Sequence, residues 1–275
     1  MAKHSTGRPS SKSRPRFIRD ATLEDLKPRE VFKDVEDDAL KAILKVSTIC
    51  ELRAGQALHP TIDQVSYVYI ILSGYLAIWG KSEFTGREEN FLAWRGPGQI
   101  IGEMRSVGAG PTATKIVACE ICTFVEIRND TFTDIADGPN KIYRNIGLLL
   151  IQKMAHDICR SEIIRMSPAP RQVAQALLHL AHERIGDEKI EDLNRIEIPG
   201  VIRQREISSY IGISREVVNV ILSDLKEKHV IDYRSGSRIT ILDRAALKEM
   251  ARNAGPHRKR KNEDQFLVAG PTAAG

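Results

Sequence analysis

The sequence predicts an α+β fold in two parts, and three observations carry that reading. Residues 66–127 hold short β-rich runs punctuated by glycine, residues 141–165 hold one long helical stripe, and residues 173–242 order a helix, a strand, two more helices and a hairpin. The first pattern reads as a roll of short strands, the second as a single amphipathic helix and the third as a winged helix-turn-helix.

The totals agree with a globular chain of two domains. A length of 275 residues favours two domains over one, and 42% hydrophobic against 28% charged residues is the balance of a globular chain rather than a disordered one. No apolar run approaches the roughly 20 residues that span a bilayer, and the basic N-terminus lacks the apolar core of a signal peptide, so a cytoplasmic protein without membrane contact is expected. The four cysteines (Cys50, Cys119, Cys122, Cys159) are too sparse for a disulfide scaffold and read as small core residues. A formal net charge of +5 tilts the chain toward polyanions.

Residues 1–20 open with Lys3, Arg8, Lys12, Arg14, Arg16 and Arg19 and few large apolar groups, which predicts a disordered basic arm, either solvated or touching phosphate. A first domain is expected over 21–139. It begins with a helix over Leu40 to Val46, preceded by Glu36, Asp37 and Asp38, acids that suit a helix N-terminus. Strands are expected at Ser66 to Leu72, Tyr75 to Trp79, Asn90 to Trp94 and Lys115 to Ile127, separated by Gly74, Gly80, Gly86, Gly96 and Gly98.

The helix expected over 140–167 places Ile142, Ile146, Leu149, Leu150, Met154 and Ile158 on one stripe, long enough to pair with the same helix of a second copy. Ser167, Pro168, Ala169 and Pro170 end it and mark the boundary to a domain over 168–250. There Val173, Leu177, Leu180 and Ala181 mark a helix, Arg195 to Ile198 a strand, Arg205 to Lys228 two helices, and Val230 to Tyr233 with Arg238 to Leu242 a hairpin around Ser235-Gly236-Ser237. A disordered tail over 251–275 carries the basic run Arg258-Lys259-Arg260-Lys261, read mainly as solvated charge.

The chemistry concentrates at residues 203–222. Ile207, Ile211, Ile213, Val218 and Ile221 can meet in one core, Gly212 sits at the sharp turn, and Ser214 is a good N-cap for the helix that follows. Arg215, Glu216 and Asn219 then line the exposed start of that helix, where such a motif meets base edges in the major groove. Arginine can fork onto guanine, glutamate can accept from cytosine and asparagine can pair with adenine. Arg203 and Gln204 at the entry to the first helix, Ser214, and Arg234 and Arg238 on the wing are placed to meet the DNA backbone. Nothing pairs a nucleophile with a base, forms a phosphate-binding glycine loop or spaces metal ligands, so enzymatic activity is not expected.

The stretch RQREISSYIGISREVVNVILSDLKEKHVI resembles the helix-turn-helix of the Crp/Fnr (catabolite activator) family. YVYIILSGYLAIW, GPGQIIGEM and CTFVEI resemble that family's cyclic-nucleotide-binding β-roll, in the same order. The resemblance covers roughly residues 31–245. It implies a homodimeric transcription regulator joined along the long helix, reading a twofold-symmetric site on double-stranded DNA, with RNA polymerase as a further partner. Arg215 and Glu216 match the family's base-reading arginine and glutamate. Val220 stands where many members carry a second such arginine, which implies a different half-site, with a thymine methyl contact by Val220 or pairing by Asn219 as substitutes.

In nucleotide-binding members a Gly-Glu pair and an Arg-Ser pair hold the ribose and cyclic phosphate. Gly102-Glu103 match the first pair, whereas Thr112-Ala113 stand at the second, with Lys115 the nearest cation downstream. Without the arginine, no cyclic AMP cofactor is expected, and another small-molecule effector is open. The long helix is also some five residues shorter than the family pattern implies, with Ser161 and Glu162 nearest the positions that contact the base of the nucleotide. A nucleotide-gated activator, its phosphate held by Lys115, Arg105 or the partner chain, is the runner-up, and an architectural DNA-binding protein is a second alternative. No cysteine cluster precedes the roll to hold an iron–sulfur centre, Cys119-x-x-Cys122 is expected to point to opposite faces of one strand, and His156 reads as a surface or interface histidine.

Overall fold

In the computed structural model, residues 15–58, 67–80, 90–106, 115–186, 190, 193, 195–234 and 237–252 are described. The chain enters as β1 (Arg16–Asp20), α1 (Leu23–Leu26), a 3-10 turn at Glu30–Phe32, α2 (Asp37–Leu44), β2 (Ser47–Leu52), β3 (Ala57–Leu58), β4 (Tyr67–Ser73), β5 (Leu76–Gly80), β6 (Asn90–Arg95) and β7 (Ile100–Ile101). It continues through α3 (Glu103–Ser106), β8 (Lys115–Ala118), β9 (Cys122–Arg128), α4 (Asn129–Ala136), α5 (Ile142–Ile164) and α6 (Ala169–Ile185). The C-terminal elements are β10 (Ile196–Ile198), α7 (Gln204–Ile211), α8 (Arg215–Glu227), β11 (Ile231–Tyr233), β12 (Ile239–Ile241) and α9 (Arg244–Arg252).

The roll is two antiparallel sheets, ordered β1-β2-β9-β4-β7 and β3-β8-β5-β6. Period-two alternation sorts its side chains. Tyr69 and Ile71 of β4, Leu76 and Ile78 of β5 and Phe124 of β9 meet between the sheets. Val68, Ile70, Val125 and Ile127 turn the other way, onto α2, α4 and the first turns of α5. Ala77 and Trp79 of β5, with Phe91 and Trp94 of β6, face outward from the second sheet and are covered by the C-terminal domain. Every residue of β5 is therefore buried, because both faces of its sheet are covered.

Four sequence expectations change. Arg16–Asp20 is not part of a loose arm: it pairs antiparallel with β2 through Arg16, Phe17, Arg19 and Asp20, with an irregularity at Ile18, although its side chains stay exposed. The run Lys115 to Ile127 is two strands in different sheets, turned at Cys119-Glu120-Ile121, so Cys119 and Cys122 are not neighbours along one strand. The first helix starts at Asp37 rather than Leu40, with Asp37 and Asp38 inside its first turn. Short elements without a clear apolar period, among them β3, β7, α1 and α4, were not foreseen.

The long helix departs in a more consequential way. Ile142 and Ile146 are buried in the chain's own first domain, and Leu149 and Leu150 pack against that same core, so this half of the stripe cannot also face a second copy. The exposed apolar row is Leu148, Ile151, Met154 and Ile158, each 48–63% accessible. At about 100° per residue Leu148, Ile151 and Ile158 fall on the side of α5 opposite Ile142 and Ile146, with Met154 at the edge of that side. The helix is apolar on two sides. The basic positions up to Arg14, the turn residues Gly86, Ser235 and Gly236, and the tail run Arg258 to Lys261 lie outside the described residues.

Candidate nucleic-acid interface

α7 and α8 form the helix pair that the spacing of 203–222 predicts. Val218, Ile221, Leu222 and Leu225 of α8 are buried with Ile207 and Ile211 of α7, and each such side chain contributes roughly 1.5–3 kcal/mol on burial. Gly212 ends α7 with φ +73, the left-handed region that glycine adopts without strain, and its amide donates to the Ser208 carbonyl at 2.9 Å. Ser214 caps α8: its hydroxyl accepts from the Val217 amide at 3.3 Å.

That cap aims the first turns of α8 outward. Arg215, Glu216, Asn219 and Val220 are all exposed, Val220 at 67%. The Glu216 carboxyl is held below the usual carboxylate range by its own backbone amide and then by the Ser214 hydroxyl, so it is an acceptor at neutral pH. The Gln204 side-chain amide donates to the Asn219 carbonyl oxygen at 2.6 Å, which joins the entry of α7 to the reading face of α8.

The wing is a three-stranded sheet, β10-β12-β11, with Arg234 exposed at its tip. Arg238 is already engaged, 2.7 Å from Glu197 and 3.7 Å from Glu120. Arg203 likewise donates to Glu206 at 3.1 Å and to the Cys119 carbonyl at 3.3 Å. Both arginines, expected free to face phosphate, are in this arrangement tied to acids and carbonyls of the protein.

Those ties belong to a contact between the DNA-reading unit and the roll. Glu206, fully buried in α7, accepts from the Trp94 indole N–H at 3.1 Å and from the Arg203 amide at 3.1 Å. The Tyr210 ring meets Trp94 tilted, 5.2 Å between centroids, and the Arg184 guanidinium lies over Tyr75 at 4.3 Å and over Trp94 at 5.1 Å. Arg160 of α5 reaches both sides, donating to the Tyr210 carbonyl at 2.8 Å and to the Leu92 carbonyl at 2.7 Å. Gly200 lets the backbone meet the Tyr75 ring, since a Cβ there would come within 2.3 Å of it. Sequence reasoning assigned no role to Trp94, Arg184 or Glu206. The available signal was that β4 and β5 read as continuous apolar runs, which implies sheets covered on both faces.

Comparison with known proteins bears on both halves. Residues 171–250 match the family model of the Crp-like helix-turn-helix domain, and residues 49–138 match that of the cyclic nucleotide-binding domain. The chain belongs to the Crp/Fnr family. Among its relatives, the CRP-like cAMP-activated global transcriptional regulator of Mycobacterium tuberculosis is 27% identical over 223 residues, 81% of this chain and 96% of the relative. The cyclic AMP receptor protein of Thermus thermophilus is 24% identical, covering 67% of this chain and 79% of the relative. Similar folds include FixK2 from Bradyrhizobium japonicum (TM-score 0.57, 19% identity, 76% of this chain and 100% of that one). They also include TTHA1359, a Crp/Fnr-family transcriptional regulator from Thermus thermophilus (TM-score 0.53, 21% identity, 75% and 100%). This Crp/Fnr protein is a transcription regulator with a helix-turn-helix DNA-binding domain, and among the described residues no helix is long and apolar enough to cross a membrane.

Of the residues that a Crp/Fnr resemblance assigns to a nucleotide pocket, Gly102, Glu103, Lys115, Ser161 and Glu162 are among the described residues. Gly102 and Glu103 follow β7, and buried Glu103 is engaged by Lys153 of α5, whose ammonium donates to it at 2.5 Å and to the Ile100 carbonyl at 2.8 Å. Burial lowers the Lys153 pKa, and the Glu103 carboxylate opposes that shift. Ser161 and Glu162 are exposed about 12 Å further along α5 than Lys153, and the Ser161 hydroxyl donates to the Asp157 carbonyl. Along α5 it is Lys153, not these two, that stands opposite Glu103. Lys115 sits on β8 opposite Trp79, while Thr112, Ala113 and the Arg105 side chain lie outside the described residues. Burial raises the Cys119 and Cys122 thiols to about 12, so neither is a ready thiolate.

Proposed function

We propose that this regulator binds a palindromic DNA site as a homodimer and does so without cyclic AMP. The observation that carries the reading is α8: a capped helix whose first turns present Arg215 and Glu216 to solvent, with Asn219 and Val220 one turn on. Arg234, and Arg203 and Arg238 once released from their acids, supply phosphate contacts, so affinity falls steeply with salt. RNA polymerase is the partner on which a regulator bound at a promoter acts.

Dimerisation is supported by Leu148, Ile151, Met154 and Ile158, an apolar row on the side of α5 away from its own core. Sedimentation at micromolar concentration is expected to find two chains per particle, and Ile151→Glu, which sets a carboxylate on that row, one. A monomeric parent protein, or an unaffected variant, removes this part of the proposal.

Cyclic AMP independence is supported by the Lys153–Glu103 pair, which fills with an internal cation the acceptor that a ribose hydroxyl would need. DNA sequences selected from a random pool should bind equally well with and without cyclic AMP. A gain of about five-fold or more, the lower end of ordinary allosteric coupling, would overturn this. That outcome would favour the second reading, a cyclic-nucleotide-gated activator, to which the name of the Mycobacterium tuberculosis relative points.

A further inference from the structure

The helical hairpin between the two domains holds a cluster that neither DNA reading nor the nucleotide pocket uses. His179 and Glu183 are one turn apart on α6 and so share a face, and His156 crosses to them from α5. The two imidazoles lie 5.7 Å apart, and one donor atom from each of the three side chains falls within 4.8 Å of the others. His179 Nε2 is buried without a hydrogen-bond partner, an unfavourable arrangement unless something binds it. All three side chains are only half-buried, so an ion can enter from solvent.

We propose that His156, His179 and Glu183 bind a divalent transition-metal ion of borderline softness, with Zn²⁺ as the reference ion, and that the ion ties α5 to α6. Two imidazoles and one carboxylate suit Zn²⁺, Co²⁺ or Ni²⁺ and exclude Ca²⁺ and Mg²⁺, which demand oxygen. Bonds of about 2.0–2.1 Å set tetrahedral ligands roughly 3.4 Å apart, so donors within 4.8 Å of one another must close by up to about 1.4 Å, within the rotamer freedom of half-buried side chains. Three protein ligands leave the fourth position to water or to a further small donor.

The placement gives the ion a mechanical consequence. His156 lies one turn before Arg160, the residue that clasps both Tyr210 and Leu92. An ion that binds only when α5 and α6 are placed as they are in the docked arrangement favours that arrangement by a factor of one plus the ratio of the free-ion concentration to Kd. Sequence spacing could not reveal this, because the first ligand stands 23 positions before the second.

The test is titration of the untagged full-length protein with Co²⁺, followed by visible absorption, with Zn²⁺ as competitor. One ion per chain is expected, held at micromolar or lower concentration. His179→Ala and Glu183→Gln are each expected to weaken binding on the order of ten- to a hundred-fold, while His229→Asn, an exposed histidine elsewhere, leaves it unchanged. The amide of Glu183→Gln keeps the shape of the carboxylate, and its ion-free melting curve should match the parent protein, which separates ligand loss from misfolding. Absence of a saturable one-to-one Co²⁺ signal, or equal binding by the site variants, overturns the proposal.

Discussion

Arg215→Ala is expected to abolish most of the preference for a selected site while leaving the fold intact. The side chain is exposed at the first position of α8 and supports no core contact, so unfolding stability should move by no more than about 0.5 kcal/mol. A guanidinium forked onto guanine is worth roughly 1–3 kcal/mol of discrimination. A dimer loses two such contacts, about 2–6 kcal/mol, or roughly 30-fold to 10⁴-fold in affinity for the selected site. Binding to random duplex should fall far less, because phosphate contacts elsewhere persist. The measurement is a pair of competition titrations, selected against random duplex, at fixed salt. An equal loss on both would recast Arg215 as a phosphate contact, and no loss on either would sink the assignment of α8 as the reading helix.

Glu206→Leu is the second substitution with a severe outcome, and its effect is on how the domains hold one another. The carboxylate accepts from Trp94 of the roll and from the amide and guanidinium of Arg203, and it is fully buried. Leucine keeps the volume but strands a buried indole N–H and removes the Arg203 countercharge. The expected cost is about 3 kcal/mol, below the full value for a wholly buried pair because Arg203 retains solvent access. Trp94→Phe removes only the N–H and some ring area, and should cost about 1–2 kcal/mol. Both tryptophans, Trp79 and Trp94, lie in the sheet that the C-terminal domain covers, so their fluorescence reports undocking directly. Denaturant unfolding followed by fluorescence and by helical circular dichroism should coincide in the parent protein and separate in Glu206→Leu. Coincident curves with unchanged midpoints would show that this contact does not couple the domains.

Much of the C-terminal unit is legible because its determinants are local. Ser214 and Gly212 announce themselves through cap and turn chemistry that acts over three or four residues, and the apolar spacing of Ile207 to Ile221 fixes which face of each helix turns inward. The strand pairing of the wing joins two short runs close in sequence, Ile231–Tyr233 and Ile239–Ile241. The roll is legible as a class but less so in its parts: Arg16–Asp20 becomes a strand only because the edge of β2 is available to pair with it, and nothing apolar in those five residues demands it.

The long helix shows where local reading ends. Ile142 and Met154 look equivalent on a helical period, yet one is buried against α2 and α4 and the other faces away. Arg203 and Arg238 look like solvent-facing cations beside a reading helix until Glu206, Glu120 and Glu197 are brought to them from positions as distant as 118 residues along the chain. Lys153 and Glu103, and His156 with His179 and Glu183, are in the same position. Residue order thus fixes periods, caps, turns and the chemistry offered at α8, since those depend on neighbours within a turn or two. Which apolar face meets which, and which charge is neutralised before any DNA arrives, is set by long-range packing, because burial and electrostatics depend on distance in space and are blind to separation along the chain.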